Sequence, residues 1–388
     1  MRISIKMKLL PIIVIGFALL TGLFYYTFLN AQENIQRSVS DESIHVSKEI
    51  FYNIEDSDIK MLSSTEEALL TNNELRDLFL SNDREAVYNY ALPIYNQQKE
   101  MFGMTHFYIH YPNGTNFIRI HSKSQYGDKI TRITFQKSIE SQGFGSGLEL
   151  GVTAFALRVV HPYYNGSQLI GYIELGEEIG NFLKVMKKQT GNEYGMFIKK
   201  EYINHTNWKS MRENQGLKDN YDDLKNYVVI DTTTDSIVSF ASNAEDKLSA
   251  VSDNGETLDK FSIGTNTYVT GGFPLYDAGG RAVGTVVVVK DLTPLEDAVK
   301  KSGQLVLIVS LISAIVIILV VGLLVNKYIL RPLENIVDAT TKVAGGDFSA
   351  EIKAQSNDEI GDLAVMLEGF KKILVATAQD LEEAYKKG

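Results

Sequence analysis

The stretch MTHFYIHYPNGTNFIRIH, residues 104–121, alternates in character on both sides of a turn sequence. Asn113-Gly114 between two alternating runs is among the strongest short signals for a β-hairpin. With these two residues as a type I′ loop, Tyr108 lies opposite Arg119. We therefore predict an antiparallel hairpin that begins a sheet.

The two faces of the predicted hairpin differ in chemistry, because successive strand residues point to opposite sides. One face is apolar and suits a protein core, with Phe107, Ile109, Ile118 and Ile120. The other is polar and aromatic, with His110 opposite Phe117 and His106 opposite His121, and it carries His106, Tyr108, His110, Phe117, Arg119 and His121. A polar face of this kind marks a candidate binding surface.

Around the hairpin the sequence predicts two modules, each built on a sheet. A long helix over residues 30–82 and a second over 84–102, interrupted at Pro93, come first. The first module, residues 84–190, adds strands at 147–152, 154–164 and 168–176 and a closing helix at 177–190. The second module, residues 191–295, has strands at 194–200, 227–232, 267–276 and 282–290. The expected fold class is therefore α+β, with antiparallel sheets.

Two uncharged apolar runs, residues 9–29 and 305–325, flank these modules. Each reaches ~31 Å as a helix, about the thickness of the hydrocarbon core of a bilayer. The first is too long for a signal peptide, and no cleavage site follows it. We predict two transmembrane helices, one on each side of an outer segment, residues 30–304.

Basic residues indicate the orientation of the two spans. Arg2, Lys6 and Lys8 precede the first, and Lys327 and Arg331 follow the second. Because basic loops stay in the cytoplasm, both termini, including residues 1–8, are expected there. The chain is then a multi-pass protein of the cell (inner) membrane, with residues 30–304 extracytoplasmic or periplasmic.

Composition excludes several classes of function. The net charge of −10 argues against a nucleic-acid partner. The absence of cysteine from the sequence excludes disulfides, cysteine nucleophiles and thiolate metal sites. No cofactor is expected.

The tail behind the second span predicts two helices and a coiled coil. Gly345-Gly346 ends the first helix, Phe348 and Ile352 are apolar anchors of a polar connector, and Asp358-Glu359 begins the second helix. Apolar and small residues then follow a heptad pattern at Ile360, Leu363, Leu367, Phe370, Leu374, Thr377, Leu381 and Ala384. Such a seam needs a partner, and a parallel homodimer supplies it most simply.

The tail resembles a HAMP domain over residues 326–376, with a coiled-coil extension over 377–388. The residues that carry this resemblance are Pro332, Gly345-Gly346-Asp347-Phe348 and Asp358-Glu359-Ile360-Gly361. The outer segment resembles a double Cache sensor domain in its long first helix, its paired modules and the ending Pro274-Leu275-Tyr276-Asp277, Val283-Gly284 and Asp291-Leu292. The resemblance implies PAS-like sheets and a dimeric receptor with a small-molecule pocket in the membrane-distal module.

A second resemblance is to a sensor subfamily of chemoreceptors, histidine kinases and cyclase receptors. It is carried by residues 117–121, 126–128 and 147–151, with Arg132 and Arg158. The tryptophan-containing pattern of amino-acid-binding double Cache sensors is absent, since Trp208 is the only tryptophan and lies in the second module. An amino-acid ligand is therefore not specifically supported.

The candidate ligand-binding residues are Tyr108, Arg119, His121, Glu149, Arg158, Tyr172 and Glu174. Arg119 can fork onto a carboxylate or phosphate. The tyrosines and His121 offer hydrogen bonds, and either glutamate can take an amine or pair with an arginine. The mixture suits an anionic or zwitterionic small molecule. The alternative is a structural network of ion pairs inside the sheet.

Three rival functions stay open. His106 and His121, as a facing pair ~5 Å apart, could hold zinc with a carboxylate, which would make the chain a metal sensor. An outer-surface enzyme would need an acid and a base, but no nucleophile motif supports one, and we expect no catalysis. A ligand-free structural membrane protein is the third rival.

The predicted relay begins at a capping box, Thr293-Pro294-Leu295-Glu296, from which one helix can run into the second span. Pro332, Glu359 and Gly361 would carry the change through the HAMP domain. No phosphoacceptor histidine segment, methylation hairpin or nucleotide site is visible in the sequence. We expect the output to come from a downstream cytoplasmic signalling domain or partner protein.

Overall fold

A computed structural model of the chain describes residues 5–151 and 155–387. The helices are α1 Ile5–Leu70, α2 Asn73–Leu80, α3 Arg84–Phe102, α4 Ile133–Ser141, α5 Gly180–Thr190, α6 His205–Asn214, α7 Ile237–Ala241, α8 Glu245–Leu248, α9 Thr293–Val325, α10 Arg331–Ala344 and α11 Glu359–Lys387. The strands are β1 His106–His110, β2 Asn116–Arg119, β3 Gly145–Leu150, β4 Phe155–Asn165, β5 Gln168–Glu178, β6 Glu193–Lys199, β7 Tyr227–Thr232, β8 Glu256–Ile263, β9 Asn266–Tyr276 and β10 Ala282–Asp291. The described chain divides into two compact units: residues 34–297, which contain all ten strands, and residues before 34 together with those after 297.

Two five-stranded antiparallel sheets confirm the α+β prediction. Their strand orders are β2-β1-β5-β4-β3 and β7-β6-β10-β9-β8, so the second sheet repeats the first strand by strand. Each predicted strand has a counterpart in these sheets, whereas β8 was not predicted. The predicted strand ends at Val152 and Ala154 lie outside the described residues.

The first hairpin differs in register from the prediction at its turn. Tyr108 lies opposite Arg119, as predicted, but His110 lies opposite Asn116 rather than Phe117. The polar face of the sheet therefore receives the Asn116 amide, which approaches His110 Nδ1 at 3.2 Å.

A three-residue loop and a β-bulge shift the strand register in opposite directions and together explain this pairing. The loop has three residues, because the Tyr111 N–H donates to the Thr115 carbonyl at 2.9 Å and Gly114 takes the left-handed conformation with φ 80°. A β-bulge at Phe117 then restores the predicted pairing. The Phe117 ring packs 5.1 Å from that of Phe79, on the apolar side, so its predicted position on the polar face was wrong.

The helices also depart from the predicted bounds. The long helix ends at Leu70, and Asn72 caps a separate α2 by accepting from the Leu75 N–H at 2.9 Å. Pro93 lies inside an uninterrupted α3, because packing of the buried face outweighs the one hydrogen bond that proline removes. The closing helix starts at Gly180, since β5 continues to Glu178.

The first sheet, β2-β1-β5-β4-β3, belongs to the predicted membrane-distal module and is called the distal sheet; it separates an apolar layer from a polar one. Its apolar face packs against α1, α2 and α3 around buried side chains such as Leu62, Leu75, Phe79 and Ile109. Its polar face is covered by α4 and the loop over residues 120–132, which meet the sheet through Phe135 and Ile130. A buried surface with mixed chemistry is thus enclosed on the second face.

The tail forms its own small core from α10, the connector and α11. Its buried members are Ile336, Val343, Ile352 and Ala364. Ile352 is the predicted anchor of the connector, but Phe348 is 39% exposed, so its anchoring role was wrong for the single chain.

Two helical stretches, Pro11–Leu70 and Thr293–Ala344, are long and apolar enough to cross a membrane, judged by length and composition. The predicted spans, residues 9–29 and 305–325, lie within α1 and α9, respectively. A π-helical turn, Asn326–Leu330, follows the second.

Candidate ligand-binding site

Glu174 is the centre of the polar face of the distal sheet. It lies on β5, wholly buried, with Tyr108 of β1 and Val160 of β4 as its strand partners. The carboxylate accepts from Arg158 Nη1 at 2.6 Å and from Arg132 Nη1 at 2.8 and 2.9 Å. Two guanidinium groups therefore share the Glu174 carboxylate, and Glu149 is a further acidic side chain close enough to interact with both.

The neighbours of Glu174 fix its charge. Burial alone would raise the pKa of Glu174, but Arg132, Arg158 and a hydrogen bond from His110 hold it well below its usual value. Burial lowers the pKa of His110, so this imidazole is neutral and donates from Nε2 to Glu174 at 3.1 Å. The network is ionised at Glu174 and neutral at His110.

Arg158 retains an unused donor. Its Nε is buried and has no hydrogen-bond partner among the described residues. A buried, unpaired N–H of a charged group is costly, and a ligand oxygen or an ordered water would relieve that cost.

The Tyr108 ring lies among three arginines. The guanidinium carbons of Arg132, Arg119 and Arg158 lie 4.9, 5.3 and 5.4 Å from its centroid. The ring face stabilises these cations, and its hydroxyl accepts from Arg132 Nη2 at 3.3 Å.

The Arg119 guanidinium is not free to bind a ligand carboxylate, because it is already paired. Its two terminal nitrogens donate to the Asp128 carboxylate at 2.7 Å each, and Nη1 also donates to the Gln125 carbonyl at 3.0 Å. Asp128 and Gln125 belong to the covering loop, so Arg119 fastens this loop to the sheet. The Asp128 side chain is 52% exposed, so the latch lies at the rim of the site.

Glu149 and Tyr172 shape the covering helix. The Thr134 N–H in the first turn of α4 donates to Glu149 Oε1 at 2.5 Å, and burial raises the pKa of Glu149. Tyr172 packs edge-on against Phe135 of α4 at 4.8 Å. Both predicted residues therefore lie near the site but contact α4.

His106 and His121 meet as predicted, with ring centroids 4.8 Å apart. Burial and nearby Arg158 lower the pKa of His106 to about 2, and burial lowers that of His121 to about 4. Thr105 hydrogen-bonds His106 Nδ1 at 2.7 Å. No group of three acidic, histidine or cysteine side chains suited to a metal occurs in residues 5–151 and 155–387. Within these residues, the predicted zinc site at His106 and His121 therefore has no carboxylate as a third ligand.

Sequence reasoning missed four members of the cluster, namely His110, Asn116, Asp128 and Arg132. His110 was on the predicted polar face but was not selected. Arg132 was visible only through its place in the resembling stretch, since a loop residue has no periodicity to reveal where it points. The compensating bulge concealed Asn116.

The start of α9 differs from the predicted capping box. Thr293 Oγ1 accepts from the Thr267 N–H of β9 at 2.9 Å, and Asp291 Oδ1 accepts from the Thr293 N–H at 2.8 Å. Glu296 pairs with Lys260. Pro294 lies in the first turn, and the helix continues to Val325 without a break, as predicted.

The relay residues of the tail lie at helix starts. Pro332 is in the first turn of α10, and Glu359 begins α11. Asp358 Oδ1 accepts from the N–H groups of Ile360 and Gly361 at 3.0 and 3.1 Å. A Cβ at Gly361 would lie 1.8 Å from the Ser356 carbonyl oxygen, so only glycine fits there.

A curated protein is similar to about half of this chain. A sensory transducer protein of Acetivibrio thermocellus, so named provisionally, is 23% identical over 215 residues, which are 54% of this chain and 34% of that protein. The chain thus spans about a third of the length of this curated relative.

Two solved structures are similar in fold. The ligand-binding domain of the Campylobacter jejuni chemoreceptor Tlp3 in complex with L-valine is 9% identical, with a TM-score of 0.39, over 68% of this chain and 95% of that one. The periplasmic domain of Vibrio cholerae LuxQ is 10% identical, with a TM-score of 0.38, over 65% and 99%. Likeness at this level says nothing about a ligand.

Family models cover the outer segment and the tail. Residues 37–296 match the double sensory domain of two-component sensor kinases (dCache_3), and residues 324–370 match the HAMP domain. The first match covers more than half of the chain, which therefore belongs to the dCache_3 family of double sensory domains and also carries a HAMP domain.

Proposed function

We propose that this chain is a transmembrane receptor, not an enzyme, and that its distal module binds a small anionic or zwitterionic solute. The observation that carries the proposal is the enclosed cluster in which two arginines share Glu174 and Arg158 keeps an unpaired N–H. A carboxylate on the ligand would accept a charge-assisted hydrogen bond from the unpaired Arg158 Nε–H.

The covering loop gives the site a way to respond. Arg119 holds Asp128, and the Arg84 guanidinium lies 3.7 Å from the centroid of the Tyr126 ring. A ligand carboxylate that competes for Arg119 would release Asp128, whereas a ligand ammonium would retain it. Only a ligand with different affinities for the two loop states shifts their populations.

The signal would pass from the distal sheet through the second module, residues 191–295, to α9. We propose that α9 and α1 cross the cell (inner) membrane, with residues 30–304 outside and both termini in the cytoplasm. A homodimer of the chain would then carry the change through HAMP to a cytoplasmic signalling domain or partner.

A thermal-shift screen of the full chain in detergent tests this function. The panel holds small carboxylates, phosphates, amines, zwitterions and zinc, with Arg158→Gln as the site variant and exposed Arg37→Gln as its control. Saturating ligand at a hundredfold excess over Kd adds about 2.7 kcal/mol to stability.

We expect a carboxylate or zwitterion to raise the melting temperature of the parent and of Arg37→Gln, but not of Arg158→Gln. Stabilisation by zinc alone, or by amines alone, would contradict the proposed ligand class. Chemical turnover of a stabilising ligand would favour the enzyme alternative.

A further inference from the structure

A second cavity, of about 430 Å³, lies where α1, the end of α3, the end of β5 and α5 meet. Its apolar walls include Ile50 and Ile54 of α1, Phe102 of α3, and Phe182 and Val185 of α5. This volume suits a small organic molecule. Exposed side chains at its edge, including Asn53 and Gln189, leave a route from solvent.

Two carboxylates and no cation line this cavity. Glu177, the penultimate residue of β5, is 3% exposed, and its Oε2 is buried with no hydrogen-bond partner in the described part of the chain. Asp58 of α1 is half-buried on the same cavity. Among the residues that the structure describes, neither carboxylate forms an ion pair with a basic side chain.

The electrostatics of the cavity agree with this geometry. Burial, with a further contribution from Asp58, raises the pKa of Glu177 to about 7, and burial raises that of Asp58 to about 6. No basic side chain contributes to either pKa shift. A bound cation would stabilise the ionised pair.

We propose that this cavity binds a small organic ammonium ion. The cationic head would lie between Glu177 and Asp58, and the carbon body would pack against Phe102 and Phe182. A divalent metal is a poorer fit, because hard cations need six or more oxygen ligands and half of the cavity wall is apolar.

The cavity differs in charge and in location from the arginine cluster, which consists of Arg119, Arg132 and Arg158 around Tyr108 and Glu174. Glu177 lies on the α1 side of the distal sheet, whereas Glu174 lies on the α4 side. Its ligand would contact both α1 and α5, the helix that joins the two modules. Binding there is therefore expected to tune the receptor independently of the distal ligand.

Calorimetric titration of the full chain in detergent at pH 8 tests the proposal, with butylammonium and phenethylammonium as probes and butanol as the uncharged control. The site variants are Glu177→Gln and Asp58→Asn. The matched control is Glu178→Gln, which changes the adjacent, exposed carboxylate.

We expect saturable binding of an ammonium probe, weakened at least tenfold in either site variant and unchanged in Glu178→Gln. Absence of saturable binding, equal binding in Glu177→Gln, equal binding of butanol, or binding of sodium or calcium instead would overturn the proposal.

The stability of Glu177→Gln provides a second readout. Since the variant removes a buried, unpaired carboxylate, its melting temperature at pH 8 is expected to rise above that of the parent. A lower melting temperature, together with full affinity in Asp58→Asn, would also overturn the proposal.

Discussion

Single residues of the distal site owe their roles to neighbours that are distant in sequence. Glu174 is ionised because the residue before α4, β1 and β4 bring Arg132, His110 and Arg158 to it. No feature of strand β5 alone shows this. The same dependence makes Glu174 the most sensitive position of the cluster.

Glu174→Gln is expected to destabilise the chain by about 3–5 kcal/mol, because it removes the carboxylate that pairs with the buried Arg158 and the partly exposed Arg132. Denaturant unfolding of the full chain in detergent measures the change. Glu178→Gln on the same strand is exposed and should stay within about 0.5 kcal/mol of the parent. A loss below 1 kcal/mol for Glu174→Gln would mean that the cluster tolerates the missing charge.

His121 is expected to make stability depend on pH. Its pKa is about 6.5 when unfolded and about 4 when folded, so the unfolded chain binds more protons between these values. Its contribution is fully present above pH 6.5 and is lost as the pH falls to about 4.

The stability difference between the parent chain and His121→Gln should therefore shrink on acidification from pH 7 to pH 4. Glu66 and Glu177, whose pKa values are raised to about 7, make the free energy of unfolding increase as the pH falls. This trend is present in both the parent chain and the variant, so it cancels when their free energies of unfolding are subtracted. A difference that is constant over this range would show that His121 is not held neutral by burial.

Residue-level prediction from sequence succeeded where a period exists. The alternation of the hairpin correctly placed Tyr108 opposite Arg119. It failed for Phe117, because a bulge changes which face a residue occupies without any fixed sequence mark. Sequence reasoning also treated the Arg119 guanidinium as free to bind a ligand, because its partner Asp128 lies on a loop, where no periodic pattern shows which residues meet.

At the scale of elements, periodic segments were predictable and irregular ones were not. All strands of the two sheets except β8, and the unbroken α9, follow from alternation and apolar content. The short α4 and the exposed edge strand β8 have weak patterns and were missed. The covering layer of the site therefore emerged only from the structure.

Gly361 is the glycine of the tail whose replacement should matter most for the start of α11. Gly361→Ala places a Cβ 1.8 Å from the Ser356 carbonyl oxygen and should destabilise the tail by about 1–3 kcal/mol. Hydrogen exchange of residues 345–361 in the full chain measures the loss.

Gly369→Ala on the same helix is the control, because nothing lies within 4 Å of its added Cβ. Alanine in a helix interior should stabilise α11 by up to about 1 kcal/mol. Equal protection in both variants would contradict the close approach at Gly361.

At the scale of the whole molecule, α11 leaves apolar side chains of the predicted seam exposed in the single chain. Phe370, Leu374 and Leu381 of the predicted heptad seam are 64%, 44% and 67% exposed. A parallel dimer would bury them in pairs. The sequence predicted this seam, because a heptad repeat is legible without tertiary contacts.

Cysteine cross-linking tests the dimer, since the sequence has no cysteine of its own. Leu374→Cys should form disulfide-linked dimers on oxidation in membranes. Lys372→Cys, off the seam and exposed, should cross-link at least tenfold more slowly. Equal rates would contradict a parallel seam through Leu374.

The most direct test of the receptor assignment joins the distal site to this seam. It is the cross-linking rate of the full-length Leu374→Cys chain in nanodiscs, measured with each carboxylate and zwitterion of the panel. At least one compound is predicted to change the rate twofold or more, and Arg158→Gln should abolish that change. A rate that no compound alters, or an alteration that persists in Arg158→Gln, would contradict signalling from the arginine cluster to the HAMP domain.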